Sequence, residues 1–147
     1  MVLFVCTGNT CRSPMAATIL KDKFKKEGIL VPVSSCGVFV NDTGPTSGAI
    51  EAMKSFGLNL ANHTPTQINE KEVQDATIIL TMTATHKNLV INNFPYVVEK
   101  TYTVCEYVTG EQKDISDPYG GSTQHYIETA KELEKLIYQL QFPKESQ

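Results

Sequence analysis

The stretch Val5-Cys6-Thr7-Gly8-Asn9-Thr10-Cys11-Arg12-Ser13-Pro14 follows a short apolar run and precedes a helical pattern. It predicts a strand, a tight loop and the start of a helix, because Gly8 and Asn9 tolerate the left-handed backbone that a curled loop needs. Ser13 is expected to cap the helix, and Pro14 suits the first helical position. A loop of this kind forms an anion site, since its N–H groups point inward and the helix adds positive potential.

Cys6 and Arg12 stand at the two ends of this loop, with five residues between them. The positive field of the loop favours the thiolate of Cys6, which is the nucleophilic form of a cysteine. The planar guanidinium of Arg12 can hold two phosphate oxygens at once. The pair predicts a nucleophile at the floor of a phosphate cradle, which suits phosphoryl transfer to sulfur. By itself, the spacing also fits a buried core cysteine and a solvated arginine.

The bulk composition is that of an ordinary globular protein. The chain has 147 residues, 41% of them hydrophobic and 20% charged, with a net charge of −3. This acidic balance argues against nucleic acid as the main partner, and no apolar run approaches the ~20 residues of a membrane-spanning helix. The N-terminus lacks the basic segment and cleavage site of a secretory signal. We therefore expect a cytoplasmic monomer that binds neither nucleic acid nor membranes.

The chain contains four cysteines, which are Cys6, Cys11, Cys36 and Cys105. In a cytoplasmic chain they are expected to be free thiols, whereas a secreted protein could pair them in two disulfides. Cys36 and Cys105 are expected to pack in the core. The histidines are scattered and no C-x2-C pair is present, so neither a metal nor a cofactor is expected.

Apolar runs alternate with helical patterns along the whole chain. Strands are predicted at residues 3–5, 31–36, 77–80 and 101–104. Helices are predicted at residues 13–27, 46–56, 69–74, 85–92 and 122–141. This alternation predicts one α/β domain over residues 1–147, with a parallel sheet and helices on both faces. Ligands of such sheets bind beyond the carboxyl ends of the strands, and the loop after the first strand is such a place.

The run from Val5 to Ala16 resembles the signature loop of the low-molecular-weight protein tyrosine phosphatases. A second segment, Asp117-Pro118-Tyr119-Gly120, resembles the general-acid loop of that family and lies just before the last helix, as in the family. With Ser34-Ser35-Cys36-Gly37 after the second strand, the resemblance covers nearly the whole chain. It implies a flavodoxin-like sheet of four parallel strands in the order 2-1-3-4.

The resemblance also implies roles for individual residues. Cys6 would attack phosphorus, and Asp117 would protonate the leaving atom and later activate water, although an Asp-Pro pair is otherwise typical of a surface turn. Arg12 and the loop amides would stabilise the phosphate oxygens. The phosphate-binding residues would be Thr7, Gly8, Asn9, Thr10, Cys11 and Arg12.

Three further residues would support the loop and its nucleophile. Asn9 would hold the left-handed turn, with Ser35 as its tether, and the Ser13 hydroxyl would hydrogen-bond the Cys6 thiolate. Cys11 lies five residues after Cys6, which predicts a reversible Cys6–Cys11 disulfide that protects the nucleophile from over-oxidation. The alternative for Cys11 is a small side chain that packs the loop.

Thr10 points to the substrate class. Within the family, aliphatic residues at this position accompany phosphotyrosine specificity, whereas the bacterial protein-arginine phosphatases carry threonine. A hydroxyl suits the polar guanidinium of phosphoarginine, from which Asp117 can also accept hydrogen bonds. Tyr119 is followed by Gly120, where phosphotyrosine enzymes often have a second aromatic residue. The resemblance thus implies a phosphatase acting on phosphoarginine in proteins, with phosphotyrosine as the alternative because Tyr119 alone could stack on its ring.

Two other functions share the phosphate-binding loop. Arsenate reductases of this fold need further cysteines near the third strand, and residues 79–86 contain none. A non-catalytic phosphate-binding module would not need both Cys6 and Asp117. Nucleotide binding is excluded because the loop lacks the Lys-Ser/Thr ending of a nucleotide P-loop, and Arg12 with the amides supplies the positive charge that a metal would otherwise provide.

Overall fold

A parallel β-sheet forms the centre of the computed structural model, which describes residues 1–141. Within these residues, four strands pair in the order β2-β1-β3-β4, and every pairing is parallel. The strands are β1 (Val2–Cys6), β2 (Val33–Gly37), β3 (Ile78–Thr81) and β4 (Thr101–Thr103). This confirms the predicted fold class and strand order.

Helices cover both faces of the sheet in the described part of the chain. They are α1 (Arg12–Glu27), α2 (Ser47–Ser55), α3 (Glu70–Asp75), α4 (Ala84–Asn93), α5 (Val104–Thr109) and α6 (Thr123–Gln139), with a 3-10 helix at Pro95–Lys100. Helix α5 and the 3-10 helix were not predicted from the sequence. Thr103 and Glu106 form a capping box at the start of α5, so a Thr-x-x-Glu signal was present. The fourth strand therefore ends before Val104, contrary to the prediction.

Strand β1 sends alternate side chains into two separate cores. Phe4 and Cys6 belong to the core that contains residues of α1, α2 and α6. Leu3 and Val5 belong to the core that contains residues of α3 and α4. All five residues of β1 are buried, as expected for the inner strand of a sheet that is covered on both faces. Cys6 therefore ends β1 on the α1 side, between the ends of its neighbours β2 and β3.

Apolar residues of α6 that recur at helical spacing are buried. These residues are Tyr126, Ala130, Leu133 and Ile137, and the cap residue Leu140, just after the helix, is also buried. Helix α2 approaches these residues closely at Gly48, where an added Cβ would lie only 2.3 Å from the Tyr126 ring. No helix within residues 1–141 combines the length and apolar character needed to cross a bilayer. The predicted domain extends to residue 147, and its last six residues lie outside the described range.

Candidate active site

The loop between β1 and α1, here the phosphate loop (residues 6–12), turns its carbonyl groups outward. Four of its carbonyls accept hydrogen bonds from groups outside both the loop and α1. The pairs are Cys6 with the N–H of Val38, Thr7 with that of Phe39, Asn9 with His63 Nε2, and Thr10 with the N–H of Thr46. The N–H groups from Thr7 to Cys11 find no acceptor within residues 1–141. These unpaired donors line a concave site that suits an anion.

Asn9 holds the turn of the phosphate loop. Its φ of 56° lies in the left-handed region, and its side chain is fully buried. Asn9 Nδ2 donates to Ser13 Oγ at 2.8 Å and to Ser35 Oγ at 3.0 Å, while Oδ1 accepts from the N–H of Thr66 at 2.9 Å. The structure thus places Ser35 where the family resemblance implied. His63 and Thr66 were missed because they lie more than 50 residues from Asn9 along the chain.

Ser13 contacts the nucleophile instead of capping the helix. Cys6 Sγ lies 2.8 Å from Ser13 Oγ, which accepts from Asn9 Nδ2. The Ser13 hydroxyl can donate its one proton either to this sulfur or to the carbonyl of Cys36, which is farther away at 3.4 Å. Helix α1 begins at Arg12, and its cap residue Cys11 has no side-chain capping bond. The predicted roles of Ser13 as the cap and Pro14 as the first helical residue are therefore wrong. The hydroxyl points into the loop, which leaves the terminal N–H groups to a ligand.

Arg12 joins the phosphate loop to the segment between α5 and α6, here the acid loop (residues 110–122). Its Nη1 donates to the carbonyl of Ile115 at 2.9 Å, and its Nη2 lies 3.5 Å from Asp117 Oδ2. Arg12 is only 4% exposed, and its Nε is buried without a partner in the described structure. A buried unpaired donor costs about 1–3 kcal/mol, a cost that a bound phosphate oxygen would offset.

Asp117 reaches the phosphate loop from the acid loop. Its side chain is about half exposed, at 49%, and its Oδ1 accepts from the N–H of Tyr119 at 3.0 Å. The same oxygen lies 3.9 Å from Cys11 Sγ. The structure thus brings the residue implied as the general acid to the cradle, although it is 111 positions from Cys6 in the sequence. The Asp-Pro turn also forms, with the carboxylate bonded to its own loop.

All four cysteines are free and buried, and the predicted core positions of Cys36 and Cys105 are confirmed. Burial, together with the nearby Cys6 and Asp117, raises the pKa of Cys11 to about 12. Cys11 is therefore a neutral thiol at neutral pH. Since the thiolate is the species that attacks oxidised sulfur, this environment slows disulfide formation. The Cys6–Cys11 disulfide stays a prediction.

Two loops form the walls of the pocket above the phosphate loop. The loop between β2 and α2, here the wall loop (residues 38–46), contributes Phe39 and Asp42, and the acid loop contributes Asp117 and Tyr119. The floor is formed by Cys6, Thr7, Gly8, Thr10, Cys11 and Arg12. Phe39 and Asp42 were not predicted as site residues from the sequence. Their place after β2, at the same edge of the sheet as the phosphate loop, was the signal that could have found them.

His86, in the first turn of α4, contacts the side chain of Thr7 in the phosphate loop. Its Nε2 lies 2.7 Å from Thr7 Oγ1, and the residue is 4% exposed. Burial, and then the positive charge of Arg12, lowers the pKa of His86 to about 4, against the opposing influence of Asp114 and Asp117. His86 is therefore neutral under ordinary conditions.

The protein should lose stability as pH falls from about 6.5 to about 4, in part through His86. Its ordinary pKa is 6.5 and its folded value is about 4, so the unfolded chain binds more protons in this window and unfolding becomes easier. The loss assigned to His86 is roughly 1–3 kcal/mol. Urea denaturation at pH 7 and pH 4.5 measures it, because His86→Gln should reduce the pH dependence while the exposed His125→Gln should not. Equal pH dependence in His86→Gln and the unmodified protein would contradict the assignment.

Comparisons with known proteins agree with this geometry. A sequence model of the family "Low molecular weight phosphotyrosine protein phosphatase" matches residues 1–146. The protein-arginine-phosphatase of Bacillus subtilis (strain 168) is 42% identical over 140 residues, which cover 95% of this chain and 93% of that protein. The low molecular weight protein-tyrosine-phosphatase PtpB of Staphylococcus aureus is 37% identical over 140 residues, or 95% of each chain.

A solved structure adds a chemical detail. It shows YwlE arginine phosphatase as a cysteine-to-serine mutant with a phosphorylated active-site serine. It superposes with a TM-score of 0.90 and 40% identity, covering 94% of this chain and 91% of that one. Since the family match spans nearly the whole sequence, this chain belongs to the low-molecular-weight phosphotyrosine protein phosphatase family.

Proposed function

We propose that this protein hydrolyses phosphoarginine in proteins through a thiophosphate intermediate on Cys6, with Asp117 as general acid and base. The observation that carries the proposal is that Thr10 and Asp117 line one pocket above Cys6. This pairs a hydroxyl and a carboxylate with the nitrogen-rich leaving group of phosphoarginine. The names of the Bacillus relative and of the YwlE structure, both arginine phosphatases, support the same substrate.

In the first step, the Cys6 thiolate attacks phosphorus in line with the leaving nitrogen. The S–P bond forms as the P–N bond breaks, and Asp117 gives its proton to the nitrogen so that arginine leaves protonated. The unpaired loop amides and Arg12 Nε stabilise the charge on the equatorial oxygens. Because these donors are fixed before the substrate arrives, they need no reorganisation during the reaction.

In the second step, the Asp117 carboxylate takes a proton from water, which attacks the thiophosphate. The P–S bond breaks and its electron pair returns to Cys6, where the Ser13 hydroxyl at 2.8 Å stabilises the restored thiolate. Inorganic phosphate leaves, and Asp117 is again protonated for the next cycle. These steps draw their positive charge from Arg12 and the amides.

Phosphotyrosine is the second candidate substrate, because two aromatic residues, Phe39 and Tyr119, line the pocket and PtpB is a named tyrosine phosphatase. Arsenate reduction is disfavoured, since residues 79–86 hold no cysteine and Cys105 is buried at 3% exposure. A non-catalytic phosphate-binding module would not need a carboxylate beside its anion site. Such a module is disfavoured because Asp117 lies 3.5 Å from Arg12.

Phosphorylated proteins are the proposed partners of this site. The expectations of a cytoplasmic monomer that binds neither nucleic acid nor membranes stay predictions, as does the single domain over residues 1–147.

The unmodified protein should release phosphate faster from a phosphoarginine peptide than from a matched phosphotyrosine peptide. Thr10→Ile should shift this ratio of kcat/KM toward phosphotyrosine by about tenfold, since it replaces a buried hydroxyl with an apolar group. Thr123→Ile, at an exposed position in α6, is the matched control, and Cys6→Ser is the blank. A preference for phosphotyrosine in the unmodified protein would discard phosphoarginine as the substrate, and an unchanged ratio in Thr10→Ile would remove Thr10 as its determinant.

A further inference from the structure

The two walls of the pocket have the same composition. The wall loop contributes an aromatic residue and a carboxylate, Phe39 and Asp42, and the acid loop contributes Tyr119 and Asp117. We propose that Asp42 is a specificity-determining residue, which binds the guanidinium of phosphoarginine at the mouth of the pocket. This inference rests on the proposed function and extends it to a residue that takes no part in the chemical steps.

The carboxylate of Asp42 has no partner in the described structure. It is exposed, and within residues 1–141 it has neither an ion pair nor a hydrogen bond, in contrast to Asp117, which contacts Arg12 and Tyr119. An unpaired carboxylate beside a phosphate site repels every phosphorylated substrate. That repulsion is reversed only for a substrate that brings its own positive charge to the mouth of the pocket.

The wall loop is held on both sides of Asp42. Before it, the N–H of Phe39 donates to the carbonyl of Thr7 at 2.9 Å, and after it, the N–H of Thr46 donates to the carbonyl of Thr10 at 3.1 Å. Gln67 adds two bonds to the same loop, one from the N–H of Val40 and one to the carbonyl of Val38. The segment that carries Asp42 is therefore tied to the phosphate loop on both sides of this residue.

The substrate chemistry matches this arrangement. In phosphoarginine the phosphoryl group is attached directly to a planar, delocalised cation, so a bound phosphate places positive charge at the level of the walls. Guanidinium groups stack on aromatic faces and bond to carboxylates. Phe39 is 65% exposed and Tyr119 is 66% exposed, so both rings are accessible. The ring of phosphotyrosine could use the aromatic residues but gains nothing from Asp42.

The test compares kcat/KM for a phosphoarginine peptide and a phosphotyrosine peptide of the same flanking sequence. Asp42→Asn should lower the phosphoarginine value about threefold, as for one exposed ion pair, and leave the phosphotyrosine value equal or higher. Asp42→Lys should lower the phosphoarginine to phosphotyrosine ratio about tenfold or more, because it reverses the charge. The control is Asp75→Asn, on α3 and outside the pocket residues, which changes the net charge by the same amount as Asp42→Asn. It should leave the ratio unchanged.

The outcomes separate the inference from the function on which it rests. If the unmodified protein does not hydrolyse phosphoarginine, both fall. If it does, and Asp42→Asn leaves the ratio of the two values unchanged, the role of Asp42 is overturned and the proposed function stands. An equal loss on both peptides also overturns it, because that result indicates a structural role. Retained phosphotyrosine hydrolysis shows that each variant is folded.

Discussion

Cys6→Ser should lower kcat for a phosphoarginine peptide by about 10⁵-fold or more while preserving phosphate binding. A serine hydroxyl is not ionised at neutral pH, and Ser13 Oγ, which lies 2.8 Å from the Cys6 sulfur, is not a base. The unpaired amides and Arg12 are untouched, so the affinity for inorganic phosphate should change little. Steady-state kinetics and calorimetric titration with phosphate measure the two quantities.

The matched control for this variant is Cys105→Ser, at a cysteine that is also buried but lies in α5, outside the pocket. Its kcat should stay near the unmodified value for the folded fraction. Intact mass spectrometry adds a third observation, because the YwlE mutant carries its phosphoryl group on the substituted serine. A Cys6→Ser protein with kcat within tenfold of the unmodified value would exclude Cys6 as the nucleophile.

Asp117→Asn should lower kcat by about 10²–10⁴-fold, which is the usual contribution of a general acid–base residue. Asparagine can still accept the hydrogen bond from the Tyr119 N–H, so the acid loop should keep its shape. It can neither protonate the leaving nitrogen nor take a proton from water. Rates measured on the phosphoarginine peptide and on a nitrophenyl phosphate separate these roles, since a nitrophenolate leaves without a proton.

For the nitrophenyl ester, the first step should be nearly unaffected in Asp117→Asn and only the hydrolysis of the thiophosphate should slow. A rapid burst of nitrophenolate followed by slow turnover is the expected trace. Asp114→Asn is the control, because it changes a neighbouring carboxylate that contacts the N–H of Ala84 instead of the phosphate loop. Equal losses on both substrates in the first step would contradict the role of Asp117 as an acid.

Local sequence patterns correctly predicted the structural features that depend on neighbouring residues. The apolar β1, the Gly8-Asn9 turn and Gly28 at the end of α1 each act within a few residues, so the strand, loop and helix were predictable. Asp117 was identified only by its resemblance to a family loop, because an Asp-Pro pair is equally compatible with a plain turn. In the structure the turn forms and its carboxylate also lies 3.5 Å from Arg12, so the turn is compatible with the acid role proposed for Asp117.

The wrong and missing predictions have one physical cause, which is that contacts made only in the folded protein decide the position of these side chains. Ser13 was expected to cap α1, but its contacts with Cys6 and Asn9 override that local preference. His86 contacts Thr7, which is 79 residues away in the sequence, and no local sequence pattern around His86 predicts that contact. The position of Asp42 after β2 indicates the correct edge of the sheet, but its side chain lines the pocket only in the folded protein, and no motif distinguishes it from other polar loop residues.

The backbone anchoring of the wall loop bears on how substrate preference can change during evolution. Its ends are fastened to the phosphate loop through the N–H groups of Phe39 and Thr46, which any residue except proline supplies. Side chains between these anchors can therefore be exchanged without disturbing the carbonyls that hold the cradle open. Selection can alter recognition at positions such as Asp42 while the reacting groups stay unchanged, so a new specificity needs few mutations and no redesign of the chemistry.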